Sequence, residues 1–450
     1  MTIAAPRAGG ADVNLSEDAL LRVVVRIGVP AVASALLLTA FVSLDSAWVG
    51  HFVGAAGLAA VSTSIFYIWI VVSIAEMVSV GLTAVAARRH GERRDEEAAR
   101  AVGDALLFTL ALGVCTATIG LLALPHLFAL METPAEVTSL GMRYLGTYLA
   151  GSPLIFGYFV VDAAFRAAGN TRVPFIMLLC ATLIAATLDP ILITGWGPFP
   201  ELGIRGAAVA TLCVRGSLCV VGTLMLRRRK LVSFGPIDWS RIRTIVRVGM
   251  PTALTGVIFS LIYVVMTRTT QQFGTPALAA LGLGHRIESW MYMVGVGFGA
   301  AAAAIVGQNL GAGKVDRAAR AGWLTLGMTG IPGVIACVVL YTFPTHLAGL
   351  FSTDMAVVEE ATRYLRTAAL AQLVVSGETV LEGALGGAGW TLPPMITSTA
   401  ITLARVPLAA WAATQWGTTG IWWVISLTAI ARALAMMGLW ASGGWRRAVV

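Results

Sequence analysis

The 450-residue sequence is 57% hydrophobic and 12% charged, with a mean hydropathy of +0.82, which excludes a soluble globular chain and describes one built for lipid. The formal net charge of +8 does not mark a nucleic-acid binder. Lys and Arg sit in short clusters between apolar runs, and the partners they suit are anionic lipid headgroups.

The first twenty residues contain no apolar stretch followed by a cleavage pattern, so no signal peptide is expected and residues 1–21 read as a cytoplasmic tail. A membrane-spanning helix needs about 20 apolar residues. Apolar runs bounded by charges or Gly/Pro clusters predict spans near 27–49, 56–87, 101–124, 139–165, 174–194 and 203–226, an amino-terminal lobe over 22–226. A charged linker over 227–242 follows, and then spans near 248–270, 278–306, 321–343, 361–385, 394–413 and 419–442, a carboxy-terminal lobe over 243–450. The expected fold is an all-α polytopic membrane protein of twelve transmembrane helices. The five cysteines (Cys115, Cys180, Cys213, Cys219 and Cys337) lie inside these apolar stretches with no CxxC pair. They read as packing residues, and no metal site is expected.

The connection 88–100 holds five Arg and 227–247 holds seven Lys or Arg, whereas 125–137, 195–204, 271–276, 344–360 and 414–420 hold none. By the positive-inside rule both termini and the linker are cytoplasmic, in a bacterial-type inner membrane.

An internal repeat runs through the chain. Arg22, Arg26, Gly28 and Pro30 recur 221 positions later as Arg243, Arg247, Gly249 and Pro251. At an offset of 220, Gly91 recurs as Gly311, Arg143-Tyr144-Leu145 as Arg363-Tyr364-Leu365, and Gly169, Thr171 and Pro174 as Gly389, Thr391 and Pro394. An even number of spans per copy makes the repeats parallel, related by a pseudo-twofold axis along the membrane normal.

Four blocks carry a resemblance to the multidrug and toxic compound extrusion (MATE) family: GVPAVASALLLTAFVSLDSAWVGHFVGAAGLAAV, AAFRAAGNTRVPF, GIRGAAVAT and GHRIESWMYMVGVGFGAAAAAIVGQNLGAGK. The resemblance implies two six-helix lobes that exchange Na⁺ or H⁺ for organic, often cationic, compounds. Two departures stand out. Ala384-Leu385-Gly386-Gly387 lacks the arginine many relatives carry there, and Val248 to Arg268 contains no Asp or Glu. The latter counts against a sodium site in the carboxy-terminal lobe.

Carboxylates inside hydrocarbon are costly and invite a functional reading. Asp45 follows Pro30 by fifteen residues and Asp189 follows Pro174 by fifteen; at 1.5 Å per residue both lie about 22 Å above their prolines, at one depth. Two facing carboxylates out of water cannot both stay ionised, which suits a proton or cation carrier. Pro190 frees backbone carbonyls beside them, and the resemblance adds Thr211. The competing expectation is a structural carboxylate bonded to Ser43 or Thr187. Glu288 has either a coupling or substrate role or a structural one with Arg286 or Arg268. Glu76 and Glu378 are further candidates. Glu382, which aligns with Asp162, reads as structural near a helix end, where reaching water is cheap. Tyr67, Trp69, Tyr158, Tyr263, Trp290 and Tyr292 offer ring faces to a cationic compound.

Gly311-Ala312-Gly313-Lys314 is not a phosphate loop, since Gln308 replaces the upstream glycine and Val315 the Ser or Thr. The five histidines are scattered, no catalytic set assembles, and no cofactor is called for beyond H⁺ or Na⁺. The expectation is a monomeric antiporter, with small-molecule substrates, a coupling cation and membrane lipids as partners and no nucleic acid. Alternatives are a flippase for lipid-linked precursors, which usually has extra helices, and a membrane transferase, for which acid-rich motifs are missing.

Overall fold

The computed structural model describes residues 14–130 and 134–448. Of the expected tail over 1–21, residues 1–13 lie outside this range.

In lipid every backbone amide must be satisfied within the chain, and each apolar run does so as a helix. The helices are α1 (Leu20–Phe52), α2 (Ala55–Gly91), α3 (Asp95–Leu130), α4 (Ala135–Ala150), α5 (Ser152–Ala167), α6 (Arg172–Thr194) and α7 (Ile204–Arg228). They continue as α8 (Trp239–Gln271), α9 (Thr275–Gly311), α10 (Val315–Thr342), the short α11 (Pro344–Gly349), α12 (Met355–Gly387) and α13 (Leu392–Ser442). Helices α4 and α5 are one span bent by 53° at Gly151. Helix α13, at 51 residues, would reach about 76 Å, more than twice the apolar thickness of a bilayer. Gly417, at φ 59° and ψ −143°, folds it back, a conformation that glycine alone adopts without strain. Among the described residues twelve crossings result, six in each lobe.

Ser34 Oγ donates to Pro30 O at 2.9 Å and Thr255 Oγ1 to Pro251 O at 3.0 Å, the same hydroxyl-to-backbone bond at the two copies of one repeat position.

The lobes meet chiefly through α2 with α8, α1 with α9 and α2 with α9, and the tightest contacts lie toward the end that carries the basic connections. A Cβ on Gly249 would strike the Met77 carbonyl, one on Gly28 the Phe298 ring, one on Gly91 the Gln308 carbonyl and one on Gly311 the Arg88 carbonyl. Residues 91 and 311, like 88 and 308, differ by the repeat offset, so the last two contacts are exchanged by the pseudo-twofold axis. Within the lobes, Thr171 Oγ1 donates to Ile27 O at 2.8 Å and Thr391 Oγ1 to Val248 O at 2.7 Å, again one contact made twice.

Two straps reinforce this end. Leu15, 1% exposed, sits among Val23, Val24, Ala301, Ile305 and Ala321. Asn309 Nδ2 and Arg317 of the carboxy-terminal lobe donate to its carbonyl, Lys314 Nζ donates to Ser16 O, and Glu17 pairs with Arg93 of the amino-terminal lobe. The connection from α7 to α8 spans 229–238 and is not simply a solvated linker. Leu231 and Val232 are buried against α3 and α5, Ser233 N donates to Ala99 O at 2.9 Å, and Arg241 of α8 pairs with buried Asp104 of α3. The segment leading into each lobe's first helix is thus fastened to the other lobe.

Candidate functional site

Helical periodicity assembles the amino-terminal site layer by layer. Val49 of α1, Ile193 of α6 and Ala207 and Ala208 of α7 pack with Tyr144 of α4 in one apolar cluster. Phe41, Ala185, Val214 and Tyr158 pack in another, nearer the basic end. Asp45, Asp189 and Thr211 each fall one turn from members of both clusters, so the three share the layer between them.

Both carboxylates are buried, Asp45 to 4% and Asp189 to 1% exposure. Tyr144 Oη donates to Asp45 Oδ2 at 3.2 Å. Asp45 Oδ1 and Asp189 Oδ1 have no hydrogen-bond partner within the protein, and the two groups lie close enough for their charges to interact. Neither hydroxyl weighed as a structural partner reaches an acid. Ser43 Oγ donates to Thr39 O and Thr187 Oγ1 to Ile184 O, so neither hydroxyl serves a carboxylate. Thr211 is buried in the same layer. One turn further along α7, Arg215 is buried with its guanidinium over the rings of Tyr158, 5.3 Å, and Phe159, 5.9 Å.

The carboxy-terminal lobe holds a second carboxylate site. Glu288 accepts from Tyr364 Oη at 2.6 Å and from Gln372 Nε2 at 2.9 Å, with the buried Arg405 in electrostatic reach. The expected partners, Arg286 and Arg268, are both exposed and do not hold it. They point outward because their long side chains do better at the protein surface than in the lobe. Tyr144 and Tyr364 occupy equivalent repeat positions, and each tethers a carboxylate, but from different helices: α1 in one lobe, α9 in the other.

Between the lobes, Glu76, Glu378 and Glu382 gather around Tyr292 and Arg432. Arg432 Nη2 bonds Glu378 Oε2 at 3.2 Å, Arg166 pairs with Asp162, and Glu76 is exposed. Asp162 is largely enclosed and pairs with Arg166 one turn away, and Glu382 is half-buried.

The aromatic candidates divide. Tyr67 donates to Leu127 O at 2.7 Å and Tyr158 is buried under Arg215, so both serve the interior of their lobe. Tyr263 stands edge-on to His285, with ring centroids 4.6 Å apart, and 6.4 Å from Phe66 of the other lobe. Trp69, Trp290 and Tyr292 expose their rings, and Tyr292 lies by the inter-lobe acids. Sequence reasoning missed Tyr144, Tyr148, Arg215, Gln372 and Arg405. The repeat had flagged Tyr144 and Tyr364 as paired positions, and Arg215 and Arg405 stand out as lone cations inside apolar spans.

A family model described as MatE matches residues 30–191 and 251–411, one segment in each lobe. The chain is 28% identical to a probable multidrug resistance protein NorM of Thermotoga maritima, over 95% of this chain and 93% of that one. It is 30% identical to an FAD transporter of Shewanella oneidensis, over 76% and 77% of the two chains. In fold it is similar to a crystal structure of a mutant Vibrio cholerae MATE transporter, VcmN, with a TM-score of 0.86 at 21% identity, covering 95% of this chain and 98% of that one.

Proposed function

The chain belongs to the MatE family, whose members are membrane transporters and not enzymes, and from that premise we propose that it is an antiporter exporting organic compounds. The coupling cation, H⁺ or Na⁺, binds in the Asp45, Asp189 and Thr211 layer, and the basic connections and both ends of the chain face the cytoplasm. One observation carries this reading: two buried carboxylates of one layer each keep an oxygen without a protein partner. An unmet buried acceptor costs about 1–3 kcal/mol, and two on carboxylates of one layer favour a ligand shared between them.

Loading a cation offsets one of the layer's two negative charges and relieves the repulsion between its acids, and release restores that repulsion. The lobes respond by rocking about their packed basic end, exposing the inter-lobe surface of Glu76, Tyr292 and Trp290 alternately to the two sides. The relatives' names, multidrug resistance protein and FAD transporter, support an organic substrate class broad enough to include large, polar molecules. Glu288, held by Tyr364 and Gln372, is tethered more fully than Asp45 and is assigned to substrate contact or lobe stability.

The test is ethidium efflux from inside-out vesicles under separately imposed proton and sodium gradients. Asp45→Asn and Asp189→Asn should reach the membrane at wild-type levels, since an amide is cheaper in lipid than a carboxylate, and should lose gradient-driven efflux. Asp316→Asn, at a side chain 88% exposed, is the control. Normal transport by both outer mutants under either gradient would sink the assignment.

A further inference from the structure

We infer that Arg215 is an internal counter-cation of the Asp45 and Asp189 layer, competing with the coupling cation for the two carboxylates. The inference rests on the coupling role proposed for those acids and adds a positioning residue to it.

Arg215 is 8% exposed, and its Nη1 has no hydrogen-bond partner within the protein. Its charge rests on the faces of Tyr158 and Phe159. A guanidinium stays charged in proteins, and leaving it unpaired out of water is costly unless an anion comes within reach. The nearest layer that offers one is the acid layer. Thr211, at the level of Asp45 and Asp189, precedes Arg215 by about one turn of α7, a rise of about 6 Å, within the span of an extended arginine side chain. Tyr148 of α4 lies in electrostatic reach of both Arg215 and Asp45, so it stands between the two layers. The other ionisable groups around the site are Tyr144 of α4, Tyr158 and Asp162 of α5, Asp45 of α1 and Asp189 of α6. Asp162 is already taken by Arg166, which leaves Asp45 and Asp189 as the carboxylates open to Arg215.

Two arrangements follow. Arg215 lies on the rings of Tyr158 and Phe159, the arrangement assigned to the cation-loaded layer. When the cation leaves, Arg215 turns toward the acids and offsets one negative charge, so the empty layer can persist out of water. The next cation must displace it. Arg215 therefore weakens cation binding and speeds release, and no covalent chemistry is involved.

The experiment uses full-length protein in proteoliposomes, with ethidium as substrate and titration of the driving cation, protons or sodium. Arg215→Gln and Arg215→Met should reach half-maximal transport at about tenfold lower cation concentration, the effect of removing one nearby opposite charge, with slower maximal turnover. Arg215→Lys, which keeps the charge, should stay near the wild-type value. The shift caused by Arg215→Gln in cation binding, read by equilibrium titration, should vanish in an Asp189→Asn background. An unchanged half-saturating concentration in folded Gln and Met variants would overturn the inference, as would a shift that persists without Asp189. Should Gln and Met variants fail to fold, the Lys variant decides: it folds and keeps the wild-type value if charge matters, and departs tenfold from it if only shape does. Failure of the coupling assignment would read differently, as gradient-driven efflux surviving in Asp45→Asn and Asp189→Asn alone.

Discussion

Tyr144 and Tyr364 descend from one repeat position and do one job on different acids. A tyrosine hydroxyl aimed at a carboxylate favours the charged form, and a hydrogen bond to a charged group contributes about 1.5–3 kcal/mol. Tyr144→Phe should therefore strengthen cation binding at Asp45, lowering the half-saturating cation concentration about tenfold in the efflux assay. Tyr364→Phe should leave that value unchanged, because its hydroxyl meets Glu288 in the other lobe. Equal effects from the two substitutions would contradict the separation of the sites. The acids were legible in the sequence because carboxylates in an apolar run are rare and their depth follows from helix rise. Their partners were not. A tyrosine in a membrane helix looks like an interface anchor, and whether its hydroxyl meets an acid depends on which helix packs beside it.

The spans were legible because lipid enforces a helix wherever an apolar run is long enough, although the helices begin as many as nine residues before the apolar runs, as α8 does at Trp239. Breaks within the spans were less so. The expected gap between the last two spans is a single glycine turn at Gly417, and the bend between α4 and α5 rests on Gly151 and Pro153, an ordinary-looking pair in an apolar run. The straps were missed because neither Asn14-Leu15-Ser16 nor Leu231-Val232 has periodicity to read. At this scale the glycine contacts are the most exposed to test. Gly249 meets a carbonyl of α2 that cannot rotate aside, so Gly249→Val should force α2 and α8 apart and destabilise the protein by about 1–3 kcal/mol or more, as overpacking does. Gly327→Val, where a Cβ meets nothing within 4 Å, should be tolerated. Thermal melting in detergent measures both, and equal melting points would refute the crossing as a constraint.

Across the whole molecule, the basic end is held by two crossed fastenings of unequal kind. The strap through Leu231 is continuous with helices on both sides, whereas the strap through Leu15 belongs to the segment before α1 and can lift away without disturbing a helix. Removing residues 1–18 should loosen that end. A cysteine introduced at buried Asn309 should then react with a membrane-impermeant maleimide added from the basic side, and should resist it in the full-length chain; identical labelling would show that the strap carries no restraint. The contacts beneath the straps are exchanged by the pseudo-twofold axis, as in an isologous homodimer, yet the acids are not. Where one lobe has Asp45 and Asp189 the other has Met266 and Ala409, and where the second has Glu288 the first has Ile68. Two identical subunits would present two copies of every carboxylate and would have to fill both sites, or tolerate a half-filled state, on each turnover. By joining the copies in one chain and letting them diverge, this protein keeps a symmetric pivot while confining the paired Asp45 and Asp189 carboxylates to one lobe, so a cycle coupled there, as proposed, would load a single acid layer.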